Sequence, residues 1–486
     1  MNGPLRRLAA LVVVLFASLF ASSTFIQFFD AGTLNGRPDN VRTLYKEYGR
    51  QRGPIVVAGQ EVARSVPSKD QYKYLRTYPG GALYAPVTGF YSVVYGETGI
   101  EGAVGVGDLL AGTADQLFYR RISDLFTGAQ PQGASVELTL DPKLQRIAWD
   151  ALGDQRGAVV ALDPKTGDVL AMVSKPSYDP NQLAGHDTSK VTQAYKTLDG
   201  EQGATPLLNR ATSQSYPPGS TFKLITAAAA LTSGRYDKDS TIPGPASIQL
   251  PQSSNRLAND TNAPCAAGGS STLTQALTES CNTSFALLGN EVGADALRRQ
   301  AEAFGFGATD LRIPLKVARS SFPASPDAAQ TELSAIGQND VTATPLQMAM
   351  VSAAIANGGV LMKPNLVRRV RSADLEVVQT ASPTELSRPI SSDVADQLRS
   401  MMLSVVTSGT GTAAQIDGVD VAGKTGTAQT AQGRPPHAWF TAFASGKGRD
   451  IAVAVVVEYG GKAGNEAFGG TVAAPIARKV MEAVVR

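Results

Sequence analysis

Ser220 and Lys223 stand three residues apart in Tyr216-Pro217-Pro218-Gly219-Ser220-Thr221-Phe222-Lys223, and the run Leu224-Ile225-Thr226-Ala227-Ala228-Ala229-Ala230-Leu231 follows directly. The prolines and the glycine halt the chain, and the alanine-rich run predicts a buried helix. With both residues in its first turn, the hydroxyl and the amine share one face, about 5–6 Å apart between Cβ atoms. A hydroxyl at a helix N-terminus, beside an amine that can take its proton, is the layout of an activated serine nucleophile. The same pattern also describes a capped helix with a solvated lysine. Ser-x-x-Lys is common by chance in a chain of this length, so the rest of the sequence has to decide.

Two later motifs add the groups such chemistry needs. Ser280-Cys281-Asn282 follows a predicted helix over Thr272 to Glu279, and Lys424-Thr425-Gly426-Thr427 follows a predicted strand over Val419 to Gly423. A second cation lowers the pKa of a neighbouring lysine and so favours its neutral, basic form. Both motifs have decoys. Ser253-Ser254-Asn255 lies among loop-forming residues, and Lys165-Thr166-Gly167 precedes the serine and occupies a turn. The information lies in order and context rather than in any one motif.

The elements that must position these residues read as α+β. Ser135 to Leu140 alternates like a strand, and Pro142 to Leu152 reads as a helix with proline in its first turn. Gly157 to Leu162 and Asp168 to Val173 read as strands joined by a hairpin turn at Asp163-Pro164-Lys165-Thr166-Gly167. Helical, alanine-rich segments fill much of 220–360. Trp439 to Ala444 and Ile451 to Tyr459 read as strands, and a helix runs from about Thr471 to Arg486. Strands at both ends of a helical middle predict one domain whose sheet is built from distant pieces. Before it, residues 31–135 read as a small α+β module with no visible chemistry, suited to spacing or pairing. Its Gly105-Val106-Gly107 lacks the preceding strand and following Lys-Ser/Thr of a nucleotide loop.

Composition narrows the function further. The 486 residues suffice for two or three domains, and a net charge of +2 implies no nucleic-acid partner. Two histidines and two cysteines supply a zinc site poorly, and no metal or cofactor is expected. A single histidine would suffice for a Ser-His-Asp triad, but nothing else supports one. Arg6 and Arg7 precede an uncharged run from Leu8 to Phe29, long enough for a bilayer core. The charge asymmetry places the N-terminus in the cytoplasm. The run is long for a cleaved signal ending near Ala21-Ser22-Ser23, so an uncleaved anchor is expected; either reading exports the remainder.

Ser-x-x-Lys, Ser-x-Asn and Lys-Thr-Gly, in that order, match the signature set of serine penicillin-binding proteins and β-lactamases. The chain resembles a class B penicillin-binding protein over nearly its whole length, and its compactness is most similar to the short actinobacterial members. Gly337-Gln338-Asn339 and Thr344-Pro345-Leu346-Gln347-Met348-Ala349 resemble a transpeptidase-domain segment. Arg52-Gly53-Pro54-Ile55 and Gly99-Ile100-Glu101 resemble parts of the family's N-terminal module. Asn339 departs from the Gly of many relatives, with no catalytic consequence expected. The resemblance implies an anchor over 1–30, a non-catalytic module over 31–135 and a penicillin-binding/β-lactamase-like transpeptidase domain over 136–486, with a sheet flanked by helices and a helical subdomain.

The resemblance further implies acyl transfer on the D-Ala-D-Ala end of peptidoglycan stem peptides, with β-lactams acylating the same serine. Ser220 would be the nucleophile and Lys223 its base. Ser280 would relay a proton and Asn282 would bind the substrate amide. Lys424 would favour the substrate carboxylate, helped by Thr425 and Thr427, with Gly426 completing the motif. The N–H groups of Ser220 and Thr427 would form the oxyanion hole. The expected setting is a single-pass membrane protein with an extracytoplasmic catalytic domain, serving cell-wall synthesis with division or elongation proteins as partners. A D,D-carboxypeptidase or β-lactamase-type hydrolase shares the same motifs, though the extra module and anchor favour a biosynthetic enzyme. Roughly 100 residues are few for a glycosyltransferase domain, and the short cytoplasmic stub leaves no output domain for a penicillin sensor. A non-catalytic scaffold is disfavoured by intact motifs. Cys281 either packs as a thiol or pairs with Cys265, the disulfide being expected in an exported chain. His437 is expected to support a strand start, and Trp149 to lie in the core.

Overall fold

The computed structural model describes residues 3–30, 33–34, 41–114, 132–200, 205–430 and 433–486. Its smaller compact unit comprises Met1–Gln51 with Val66–Leu75, its larger one Arg52–Ser65 with Arg76–Arg486. In the smaller unit, an α-helix over Gly3–Thr24 continues as a π-helical turn over Phe25–Phe29. The 27 residues have a mean hydropathy of 2.3 in their most apolar window, and the helix is long and apolar enough to cross a membrane. A short helix, Val41–Tyr48, sets the Tyr45 ring edge-on to Tyr72, with centroids 5.4 Å apart.

The larger unit contains two main sheets. In the first, Ser135–Leu138 pairs in parallel with Ile55–Val57 and antiparallel with Val367–Arg371, so segments far apart in sequence share one sheet. Beside it Glu101 is fully buried and satisfied by cations. Arg52 Nε donates to it at 3.0 Å, Arg76 Nε at 2.6 Å and the Tyr78 hydroxyl at 3.2 Å. The Arg52 guanidinium also lies 4.2 Å from the Tyr91 ring centroid.

The second sheet uses five antiparallel strands: β1 (Gly157–Leu162), β2 (Val169–Lys175), β3 (Val421–Ala428), β4 (His437–Gly446) and β5 (Arg449–Val457). Their spatial order is β3-β4-β5-β1-β2, so β3 is an edge strand. Every residue of β1 is buried, which explains its unbroken apolar run. Helices cover both faces. One face carries α5 (Pro345–Ala356), and the other carries α1 (Pro142–Leu152) and α6 (Gly469–Val485). Between the two groups of strands come α2 (Lys223–Thr232), α3 (Leu273–Thr278) and α4 (Asn282–Val292).

Local signals act as expected at α1, where Pro142 opens the helix and Asp141 caps it by accepting from the N–H groups of Lys143 and Leu144. Three details differ. Lys424-Thr425-Gly426-Thr427 lies within strand β3 rather than after it. The last strand stops at Val457, and Tyr459 turns to a φ of 50°. Trp149 is half-buried rather than core, with Lys175 Nζ 4.0 Å over its ring and bonding its carbonyl. Asn339 adopts a φ of 58°, a left-handed conformation that asparagine tolerates better than most residues and glycine best of all.

Removing Glu101 would leave the buried Arg76 guanidinium without its counter-charge and Arg52 with only Glu97 at 3.4 Å. Glu101→Ala is expected to destabilise the full chain by about 3–5 kcal/mol, read as a lower urea midpoint in detergent. An unchanged midpoint would show that the cluster carries no stability.

Candidate active site

The serine-bearing arm is held from several directions before it enters α2. Tyr216 pairs with Ala343 through N–H···O bonds of 2.9 and 2.8 Å, and its hydroxyl donates to Glu458 Oε1 at 2.7 Å. Glu458 is also bound by the fully buried Arg210 at 2.8 Å and by Arg156 at 2.7 Å. The Trp439 indole donates to Pro217 O at 3.0 Å, and Gly219 N–H donates to Gly337 O at 3.0 Å. Gly219 has a φ of 53°, and a Cβ there would come within 2.6 Å of Thr427 O. The turn can therefore press against β3 only without a side chain.

Ser220 lies in a 3-10 turn over Gly219–Phe222, and Lys223 is the first residue of α2. Ser280 occupies the bend between α3 and α4 with a φ of 59°, and Asn282 opens α4. Cys265 and Cys281 form a disulfide that ties this bend to the preceding loop.

These pieces converge on one hydroxyl. Lys424 Nζ lies 2.8 Å from Ser280 Oγ, and Lys223 Nζ lies 3.4 Å from the same atom. Lys223 Nζ also donates to Ser280 O at 2.6 Å and to Asn282 Oδ1 at 2.8 Å. Lys424 Nζ donates to Thr425 O at 3.0 Å. Both lysine residues are fully buried. Burial first, and then the charge of Lys424, holds the Lys223 amine well below the usual lysine range. Burial brings Lys424 down to about 7, against the opposing pull of Asp260.

Ser220 is 8% exposed, and its hydroxyl makes no hydrogen bond among the described residues. Lys223 shares its turn, yet directs its amine to Ser280 and Asn282. Catalytic hydrogen bonds are often loose until substrate binds. Gly426 faces the serine arm so closely that a Cβ would meet Thr221 Cγ2 at 2.9 Å and Pro218 O at 3.0 Å. The Thr425 hydroxyl is 2.6 Å from that of Thr410, whereas Thr427 is partly exposed beside Gly219. His437 starts β4 and accepts from the Tyr459 N–H at 3.1 Å through Nδ1.

Three contributors escaped sequence reasoning. Asn259 Oδ1 accepts from the N–H groups of Asn282 and Thr283, capping α4. Asp260 Oδ1 accepts from Asn282 Nδ2 at 3.0 Å, while Ala258 O takes its other proton at 3.2 Å. The Asn282 amide is thus oriented with its oxygen toward Lys223. Thr410 is the third. Asn259 and Asp260 sit in a polar, turn-rich stretch 22 or more residues from their partners, and only the glycines flanking Thr410 give a weak cue.

Comparison with known proteins agrees with this geometry. Residues 157–482 match the family model described as the penicillin-binding protein transpeptidase domain. Residues 52–136 match the penicillin-binding protein A dimerisation domain. The chain is 45% identical over 496 residues to the peptidoglycan D,D-transpeptidase PbpA of Mycolicibacterium smegmatis, covering 100% of this chain and 99% of that relative. It is 44% identical over 498 residues to the protein of the same name from Mycobacterium tuberculosis, with the same coverage. The solved ceftriaxone acyl-enzyme complex of penicillin-binding protein A from M. tuberculosis superposes with a TM-score of 0.86 at 43% identity, covering 91% of this chain and 100% of that one. By fold, by the order and contacts of its motifs and by these similarities, the chain belongs to the penicillin-binding protein transpeptidase family.

Proposed function

We propose that the protein is a membrane-anchored peptidoglycan D,D-transpeptidase that works through a Ser220 acyl-enzyme. The observation that carries this reading is the Ser280 hydroxyl held between two buried lysines beside the Ser220 turn. Support also comes from the relatives named as peptidoglycan D,D-transpeptidases over their full length and from the β-lactam acyl-enzyme of a similar structure.

In this mechanism the neutral Lys223 amine takes the Ser220 proton as Oγ bonds the penultimate D-alanine carbonyl. The oxyanion is met by the N–H groups of Ser220 and Thr427. The proton then passes from Lys223 through the Ser280 hydroxyl to the departing D-alanine amine, breaking the C–N bond. Charged Lys424 binds the terminal carboxylate, with the partly exposed Thr427 beside it. Thr425 acts by bracing the strand through Thr410, and Asn282 by holding Lys223 as well as meeting substrate. An acceptor amine of a second stem peptide then displaces Ser220 and closes the cross-link. The helix over Gly3–Phe29 serves as a single-pass anchor with the catalytic domain outside the cytoplasm. Residues 1–30, 31–135 and 136–486 divide the work into anchor, module and catalyst. The matches at 52–136 and 157–482 support that division.

A hydrolase on the same fold is the competing reading, and the fate of the acyl-enzyme separates the two. A labelled penicillin is expected to bond the full chain covalently and leave slowly; rapid turnover would favour a β-lactamase. Ser220→Ala is expected to abolish the label, and Lys223→Ala to slow acylation by about 10²–10⁴-fold. Undiminished labelling of Ser220→Ala would remove the assignment.

The lysine environments set the pH dependence. Acylation should fall as pH rises through about 7, where Lys424 loses the charge that binds carboxylate. Lys424→Arg keeps its charge and should move that limb to higher pH. Asp260 raises the pKa of Lys424, so Asp260→Asn should move the limb to lower pH. Rates of penicillin acylation across pH check all three directions, and a limb that ignores both substitutions would sink the role given to Lys424.

A further inference from the structure

Two adjoining clefts lie outside the constellation just described. The larger encloses about 460 Å³ and the smaller about 330 Å³, and they share Val104, Arg312 and Pro314 along their common rim. Arg312, Lys363 and Arg369 line the first, and Arg312 and Lys316 line the second; no aspartate or glutamate lines either among the described residues. Arg369 is paired with Glu137 at 2.8 Å. Arg312, Lys316 and Lys363 are exposed, and none forms a salt bridge among the described residues. An isolated bridge between Arg312 and Lys316 sets those two side by side.

Three cations with no salt bridge among the described residues, gathered in a concave surface, raise the local concentration of anions. The wall of the larger cleft is mixed, with Pro364 and Val367 beside the polar side chains of Asn365, Gln379 and Ser382. Val104 is 74% exposed at the rim common to both clefts. A peptide with more than one carboxylate matches cations that line both clefts, and its backbone matches walls offering amide and hydroxyl groups as well as apolar carbons.

We infer that this double cleft is a second binding site, separate from the catalytic one, for a peptide carrying several free carboxylates. Given the transpeptidase reading, on which this assignment rests, that chemistry is that of a peptidoglycan stem peptide held away from Ser220. Arg312 contacts the ligand from both clefts, and Lys363 and Lys316 fix its two ends.

The test uses the full chain in detergent, with Ser220 first acylated by penicillin so that the catalytic site is blocked. A fluorescently labelled stem tetrapeptide with two free carboxylates is then titrated in and followed by anisotropy. Saturable binding is expected to weaken at least about tenfold when the peptide carboxylates are amidated, or in the double variant Arg312→Ala/Lys363→Ala. Arg312→Lys in an otherwise native chain should retain most of the binding, and the penicillin acylation rate should be unchanged in every variant. No binding to the acylated chain, binding indifferent to the double substitution, or displacement by equimolar inorganic phosphate would each overturn the site. The initial acylation is a separate readout, so loss of the transpeptidase reading shows there and is not confused with loss of this one.

Discussion

Everything in the catalytic half depends on keeping two lysine amines dry within reach of one serine hydroxyl. An isolated buried ammonium is costly, and the chain meets that cost in two ways. It lowers the proton affinity of Lys223 through burial and the neighbouring Lys424, and it surrounds both amines with oxygen acceptors from Ser280, Asn282 and Thr425. Asp260, at the exposed edge, limits how far that depression goes. The result is a pair of bases with different proton affinities on either side of Ser280, an arrangement suited to moving one proton in and another out.

Such a site tolerates little slack, and the surrounding backbone is packed accordingly. Gly219 and Gly426 let the serine arm and the edge strand meet at distances no side chain would allow. The Glu458 cluster fixes the arm upstream, since Tyr216 shares its carboxylate with Arg210 and Arg156. The disulfide and Asn259 fix the Ser280 bend from the other side. Edge strand β3 has no further strand on one side among the described residues. The non-catalytic module is equally interlocked, through Glu101 with two arginines and through a sheet that takes strands from both sides of residue 135.

Much of this was legible in the chain. The Ser-x-x-Lys, Ser-x-Asn and Lys-Thr-Gly motifs pointed to the family because their order and context exceeded what each decoy could imitate. Proline, glycine and capping signals located α1, α2 and the β1–β2 hairpin, whose bounds depend on local backbone preferences. Boundaries drifted where a tertiary contact overrode local preference. The strand containing Lys424 extends through its own motif because β4 pairs with it residue by residue from Val421 to Ala428. Trp149 is half-buried, packed against the core with Lys175 over its ring.

By itself, then, the sequence determined the ordered motifs that mark the family, the helical and strand segments that carry them and the apolar N-terminal helix, since residue type, spacing and local periodicity encode all of these. Only the tertiary structure decided that Lys223 turns toward Ser280 and Asn282, that Asp260 orients the amide of Asn282, and that Thr410 takes the hydroxyl of Thr425. Those choices depend on burial and on pairings between residues far apart along the chain, and neither leaves a mark in local pattern.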